Sequence, residues 1–168
     1  MKPLIISLGN RYRCDDGVGP YTLDLLQLVL GESSDFIENV GDTSTLLDFW
    51  QHRDKVVLID ACYADDTTDT TDSSKIQPGQ IFRLDGLNES LPADNPVSSN
   101  HAISIANAIE LGKLLHQLPQ SLTIYSISGN NFSQGEAISP PLLIAAQQLV
   151  SLISVELNTG NKACTSTP

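Results

Sequence analysis

Gly9-Asn10-Arg11-Tyr12-Arg13-Cys14-Asp15-Asp16-Gly17-Val18-Gly19 follows directly on the apolar run Leu4-Ile5-Ile6-Ser7-Leu8. A short apolar run closed by a glycine reads as a buried strand. Beyond the loop, Val18, Tyr21, Leu25, Leu26 and Val29 recur at helical spacing, and Pro20 falls in the first turn, where proline is tolerated. The stretch is a strand–loop–helix junction, the opening unit of an α/β fold. Its adjacent acids, Asp15 and Asp16, set it apart. One carboxylate beside a helix N-terminus complements the dipole and caps free N–H groups. Two neighbouring carboxylates repel unless a cation or a proton is shared between them, so the pair points to an active or metal site.

Outward from this junction the chain keeps alternating. Residues 56–59 and 122–127 read as buried strands; 36–40 and 80–84 are weaker ones, the latter after the turn signal Pro78-Gly79. A short helix capped by Thr43 or Ser44 runs to Trp50, and a longer one covers 102–118 with Ser99 or Asn100 as cap. Ser139-Pro140 opens a last helix that ends near Leu157. The order β-α-β-α-β-β-α-β-α predicts a three-layer α/β sandwich, with a mostly parallel, twisted five-stranded sheet flanked by helices. Residues 1–157 form one domain and 158–168 a polar, flexible tail; the acidic, threonine-rich stretch 64–74 reads as a mobile surface loop.

Composition narrows the function. The chain has 168 residues and a formal net charge of −11, which disfavours nucleic acid and anionic membrane as partners and favours a cation or a basic surface. No apolar run approaching the roughly 20 residues of a membrane span is read, and the N-terminal run is a strand rather than a signal peptide, so a cytoplasmic location is expected. Three widely spaced cysteines, Cys14, Cys62 and Cys164, fit reduced thiols. No heptad is visible, and a monomer is expected.

In parallel sheets, ligands bind beyond the carboxyl ends of the strands. Asp60, in Val57-Leu58-Ile59-Asp60-Ala61, lies at such an end. A cap on the following turn is an equally good reading of that residue alone. His101 precedes the third helix, where a lone histidine is usually structural, whereas His52 and His116 sit in polar helical stretches and read as solvated. Two carboxylates with one imidazole make a mixed ligand set that suits nickel, zinc or iron and leaves open positions. The loop has neither G-x-G-x-x-G nor G-K-[ST], and no G-x-S-x-G elbow is present. Cys14 is a minor nucleophile candidate.

Gly9-Asn10 followed by Asp15-Asp16-Gly17-Val18-Gly19 resembles the opening motif of the hydrogenase maturation endopeptidases. Leu58-Ile59-Asp60-Ala61, Pro78-Gly79, Ser98 to His101 and Ile138-Ser139-Pro140 agree in order and spacing, so the likeness spans about 4–155. It implies an endopeptidase that removes a C-terminal extension from the large-subunit precursor of a nickel–iron hydrogenase after nickel insertion. It also implies metal contacts at Asp16, Asp60 and His101, with nickel arriving on the substrate and another divalent ion able to substitute in the isolated protein. The hydrolytic step is open between a metal-activated water and a carboxylate base, Asp16 or Asp15. The family's Asp–Gly/Cys–Gly-Thr stretch is altered here to Glu38-Asn39-Val40-Gly41-Asp42-Thr43, in which Asn39 replaces the acid or Asp42 supplies it from a shifted position. Gly41, Asp42 and Thr43 are candidate substrate contacts, against a plainer reading as a turn that caps the next helix. Two further readings stand beside the protease: a non-catalytic nickel-binding chaperone or checkpoint module on the same fold, and an α/β hydrolase unrelated to hydrogenases.

Overall fold

A computed structural model describes residues 1–39, 42–64, 75–89 and 101–162. The elements are β1 (Leu4–Leu8), α1 (Val18–Leu30), β2 (Asp35–Asn39), α2 (Thr43–Trp50), β3 (Lys55–Tyr63), β4 (Ile81–Asp85), α3 (Ala102–Leu115), β5 (Ser121–Gly129) and α4 (Pro140–Lys162), with 3-10 turns at Cys14–Gly17 and Gly31–Ser33. The strands lie in the order β2-β1-β3-β5-β4. All neighbours are parallel except β4, which runs antiparallel to β5 on the edge.

Side chains alternate across the strands and divide the core in two. Ile5, Val57, Ile59, Tyr125 and Ile127 face α1 and α4, meeting Val18, Leu23, Leu26, Leu142, Leu149 and Ile153. Leu4, Ile6, Leu8, Val56, Leu58, Leu122 and Ile124 face α2 and α3, meeting Leu46, Trp50, Ile105 and Ile109. Burial on both faces is why these strands read as continuous apolar runs rather than alternating ones. The result is the three-layer sandwich the sequence predicts.

Several boundaries differ from the sequence reading. β3 runs on to Tyr63, so Asp60 is inside a strand rather than at its end. β1 pairs with β3 only as far as Ser7–Ile59, while β5 continues beside β3 to Gly129. Asp60 is therefore just beyond the last β1–β3 pair, level with the final residue of β1, at the rim, although its own strand continues. Asp42, not Thr43 or Ser44, caps α2: its carboxylate accepts from the Thr45 N–H at 3.1 Å. α3 ends at Leu115, where His116 turns left-handed, and His52 holds a second left-handed turn after α2; neither histidine lies within a helix. The expected caps Ser99 and Asn100 are outside the described residues, as are 65–74.

α4 continues through Lys162, five residues into the stretch expected to be a flexible tail; 163–168 are outside the described residues. Contrary to the sequence expectation, its window Pro140–Thr159 is long and apolar enough by composition to cross a membrane. One face of this helix, with Leu142, Ala145, Ala146, Leu149 and Ile153, is packed on the sheet.

Candidate functional site

The order β2-β1-β3-β5-β4 reverses direction between β1 and β3. In open α/β sheets the crevice at such a switch point, outside the carboxyl ends of the strands, is where ligands bind. The loop after β1, the distal part of β3 and the start of α3 meet there.

The first loop is shaped by one backbone contact. Gly9 has φ +122°, and a Cβ at that position would stand 2.1 Å from the carbonyl oxygen of Asp16. Only glycine lets the chain leave β1 and fold the Asp16 turn back over it. Asp16, 3% exposed, then accepts the N–H of Asn10 at 3.0 Å. On β3, Asp60 continues the row of Val56 and Leu58 that faces α2 and α3, which aims it at the start of α3. His101 stands one residue before α3, and its Nδ1 lies 3.0 Å from Asp60 Oδ1, which also accepts the Ala61 N–H at 2.9 Å. Asp60 is 1% exposed, and its second oxygen, Oδ2, is buried with no hydrogen-bond partner among the described residues.

Electrostatics tie the three together. Burial pushes the Asp16 carboxyl up; the charges of His101 and Asp60 act on it in opposite senses. The Asp60 hydrogen bond holds the His101 imidazole above its ordinary range, and the Asp16 charge adds to this. Asp16, Asp60 and His101 thus share one field. Among the described residues, however, no group of three His, Cys, Asp or Glu side chains is closed up as a metal site. A buried carboxylate oxygen with no donor, beside a histidine and a second buried acid, is a donor set that fits a borderline divalent cation.

Asp15 points elsewhere. It is fully buried, and its carboxylate accepts three backbone N–H groups: Asn130 at 3.1 Å, Asn131 at 2.9 Å and Ser139 at 2.8 Å. Gly129 makes room for it, since a Cβ there would come within 2.8 Å of the Asp15 Cβ. The two loops are laced further by Cys14 N–H to the Gly135 carbonyl at 2.7 Å, Asp15 N–H to the Asn131 carbonyl at 2.9 Å and Gly135 N–H to the Tyr12 carbonyl at 2.9 Å. Asp15 thereby holds the loop after β5 against the loop after β1. The sequence held a signal for this loop, in Gly129-Asn130-Asn131 at a strand end and Gly135 beyond it, but no pattern joined it to Asp15 across more than a hundred residues.

The remaining candidates divide. Asp42 is occupied as the α2 cap, accepting also from the Ser44 and Thr45 hydroxyls at 2.6 Å each. The Thr43 hydroxyl donates to the Ser104 carbonyl at 3.2 Å, which pins the start of α2 beside the start of α3 and so beside His101. Gly41 lies outside the described residues, as does the side chain of Asn39; Glu38 pairs with Arg11. Cys14 is buried with its Sγ 3.9 Å from the Ser133 hydroxyl. Burial pushes the Cys62 thiol up to about 12, which keeps it protonated and unreactive near neutrality.

No protein-family model matches the sequence, and no curated protein sequence matches it. Solved structures do. The hydrogenase maturating endopeptidase HybD from Escherichia coli aligns at TM-score 0.71 and 19% identity, over 95% of this chain and 94% of that one. The [NiFe] hydrogenase maturation protease HybD from Thermococcus kodakarensis aligns at TM-score 0.71 and 21% identity, over 94% and 99%. The solution structure of an endopeptidase from Escherichia coli aligns at TM-score 0.76 and 18% identity, over 95% and 94%. At such identities these likenesses establish the fold: nearly the whole chain has the architecture of proteins named as hydrogenase maturation endopeptidases.

Proposed function

We propose that this chain is an endopeptidase of hydrogenase maturation, removing a C-terminal extension from a nickel-loaded large-subunit precursor. The observation that carries the reading is the buried Oδ2 of Asp60, without a donor among the described residues, beside His101 and Asp16 at the switch point of a fold shared with solved maturation proteases. In this reading Asp16, Asp60 and His101 contact nickel carried by the precursor, and that contact registers the scissile bond in the cleft. Fixing a reacting bond in this way supplies much of a hydrolytic rate gain. In the same reading Asp16, whose carboxyl burial makes more basic, takes a proton from the attacking water. Asp15 holds the opposing loop rather than acting on substrate.

In this reading the metal arrives with the substrate. The test is to mix the purified chain with nickel-loaded cognate precursor and follow the precursor's mass. Loss of a C-terminal fragment is expected. Tight binding of an intact precursor would instead favour a nickel-reading checkpoint module. A cytoplasmic location and a monomeric state belong to the same proposal.

A further inference from the structure

Three of the four arginines are ion-paired: Arg11 with Asp24 and Glu38, Arg53 with Asp35, and Arg83 with Glu156. Arg13 differs. Its Nε and Nη2 donate to the Phe132 carbonyl at 3.3 and 3.1 Å, and it pairs with no carboxylate among the described residues. A guanidinium carries five N–H donors, so one carbonyl leaves much of the fork unused. In a chain of net charge −11, a guanidinium without a carboxylate is conspicuous.

Its position adds to this. Arg13 lines a cleft of about 420 Å³ with Asn10, Tyr12, Gln134, Gly135 and Glu136. A second cleft of about 300 Å³ opens across Tyr12, whose ring stands out from the surface at 67% exposure. The Arg13 charge also reaches the candidate centre, as a small downward influence on Asp16 and His101 within their net upward shifts. The cleft floor is rigid because the two loops that form it are laced together through Cys14, Gly135 and Tyr12.

We propose that this cleft is the subsite in which the precursor's chain lies beside the scissile bond, with Arg13 taking a carboxylate of that chain. The inference rests on the endopeptidase reading above. A carboxylate entering here meets Glu136, which repels it, and Arg13 is the cation among the residues that line the cleft. Guanidinium and carboxylate are matched in plane and spacing, so the contact is directional as well as attractive. Two sources present the same chemistry. One is an acidic side chain flanking the cut in the uncleaved precursor. The other is the C-terminus made by hydrolysis, where water adds its oxygen to the scissile carbonyl, the C–N bond breaks, and the leaving amine takes a proton.

The test is a cycle in which the arginine and the carboxylate are each removed. Peptides tiling the precursor's C-terminal region are titrated onto wild type, Arg13→Ala and Arg13→Lys, as free acids and as C-terminal amides, and with Asp or Glu changed to Asn or Gln. Processing of nickel-loaded precursor is measured in parallel. In wild type, removing the relevant carboxylate weakens binding about tenfold. In Arg13→Ala the same removal changes binding less than about twofold, since the partner is already gone. An internal acid shows in the KM for precursor, and a terminal carboxylate shows in inhibition by product. Arg13→Lys keeps the charge without the fork and falls between. Equal effects of carboxylate removal in wild type and Arg13→Ala overturn the inference, even if Arg13→Ala binds every peptide less well through a loosened loop. Failure of wild type to cut the precursor instead overturns the endopeptidase reading, and the peptide titration still gives its own answer.

Discussion

His101 Nδ1 and Asp60 Oδ1 stand 3.0 Å apart, joining the start of α3 to β3 just past its last pair with β1. The contact is a charge-assisted pair when the imidazole is protonated, and it raises the His101 pKa above 6.5. A histidine raised on folding contributes stability that is fully present below the unfolded value and lost as pH rises through the folded value. The histidine resonances should therefore show one ring titrating above 6.5. Asp60→Asn should bring that midpoint down and remove the corresponding fall in stability on the alkaline side. An unchanged midpoint in the variant would exclude Asp60 as the cause.

His101→Ala should leave the domain folded, since the ring is outside both core clusters, and should lower processing by about a hundredfold or more if it registers the substrate. Circular dichroism and precursor mass measured on the same preparation separate loss of site from loss of fold. Wild-type processing rates in the variant would remove His101 from the site.

Much of this centre was legible in the chain because its parts sit at predictable places. Asp16 follows a strand in a glycine-framed loop, Asp60 ends an apolar run, and His101 opens a helix; parallel topology then brings the three to one rim. Three features were not legible. The extension of β3 to Tyr63 depends on β5 as a partner, and a run interrupted by Asp60 reads as ended. The Asp42 cap was missed because Thr43 and Ser44 are equally good capping types and only backbone geometry chooses among them. The roles of Asp15 and Arg13 depend on the 130–139 loop, which packs against the first loop through backbone groups, and backbone groups carry no sequence signature.

Treating the isolated protein with a chelator should not abolish cleavage of nickel-loaded precursor, whereas nickel-free precursor should remain uncut. This expectation follows from the proposal that the nickel contacted by Asp16, Asp60 and His101 is carried by the precursor. Metal content of the chelated enzyme and precursor mass are the readouts. Loss of activity restored only by metal added to the enzyme would show a resident ion instead.

Asp15→Ala should destabilise the domain by about 3 kcal/mol, because it strips the acceptor from three backbone N–H groups in a fully buried setting. Asp15→Asn keeps one acceptor oxygen and should cost less. Urea unfolding of the three proteins gives the order wild type, Asn, Ala. Full stability in Asp15→Ala would show that the two loops are held by other contacts.

Away from the site, Glu156 accepts from the Tyr125 hydroxyl at 2.6 Å and from Arg83 at 3.2 Å, with Lys55 nearby at 3.8 Å. Burial pushes its carboxyl up, but these hydrogen bonds and charges outweigh burial, and the net shift is downward. A depressed acid contributes stability that is present above the unfolded value, about 4.5, and lost as pH falls through the folded value. Glu156→Gln should flatten the acid limb of the stability profile below about pH 5 while changing little in its dependence at neutral pH. Identical acid limbs in variant and wild type would remove Glu156 from the account.

Two glycines with positive φ provide the sharpest test of how the first loop is built. Gly31, at φ +50° and ψ −131°, has nothing within 4 Å of where a Cβ would stand, so Gly31→Ala meets no clash and only the strain of a glycine-favouring backbone, about 1–3 kcal/mol. Gly9, at φ +122°, adds a Cβ 2.1 Å from the Asp16 carbonyl oxygen, which is backbone and cannot swing aside. Gly9→Ala must move the Asp16 turn away from β1 or abandon the fold, with a loss of at least about 3 kcal/mol. If the variant folds at all, Asp16 is displaced from Asp60 and His101, and precursor processing falls with it while Gly31→Ala processes normally. Equal losses at the two glycines in urea unfolding would mean that the turn over β1 is not what fixes Asp16.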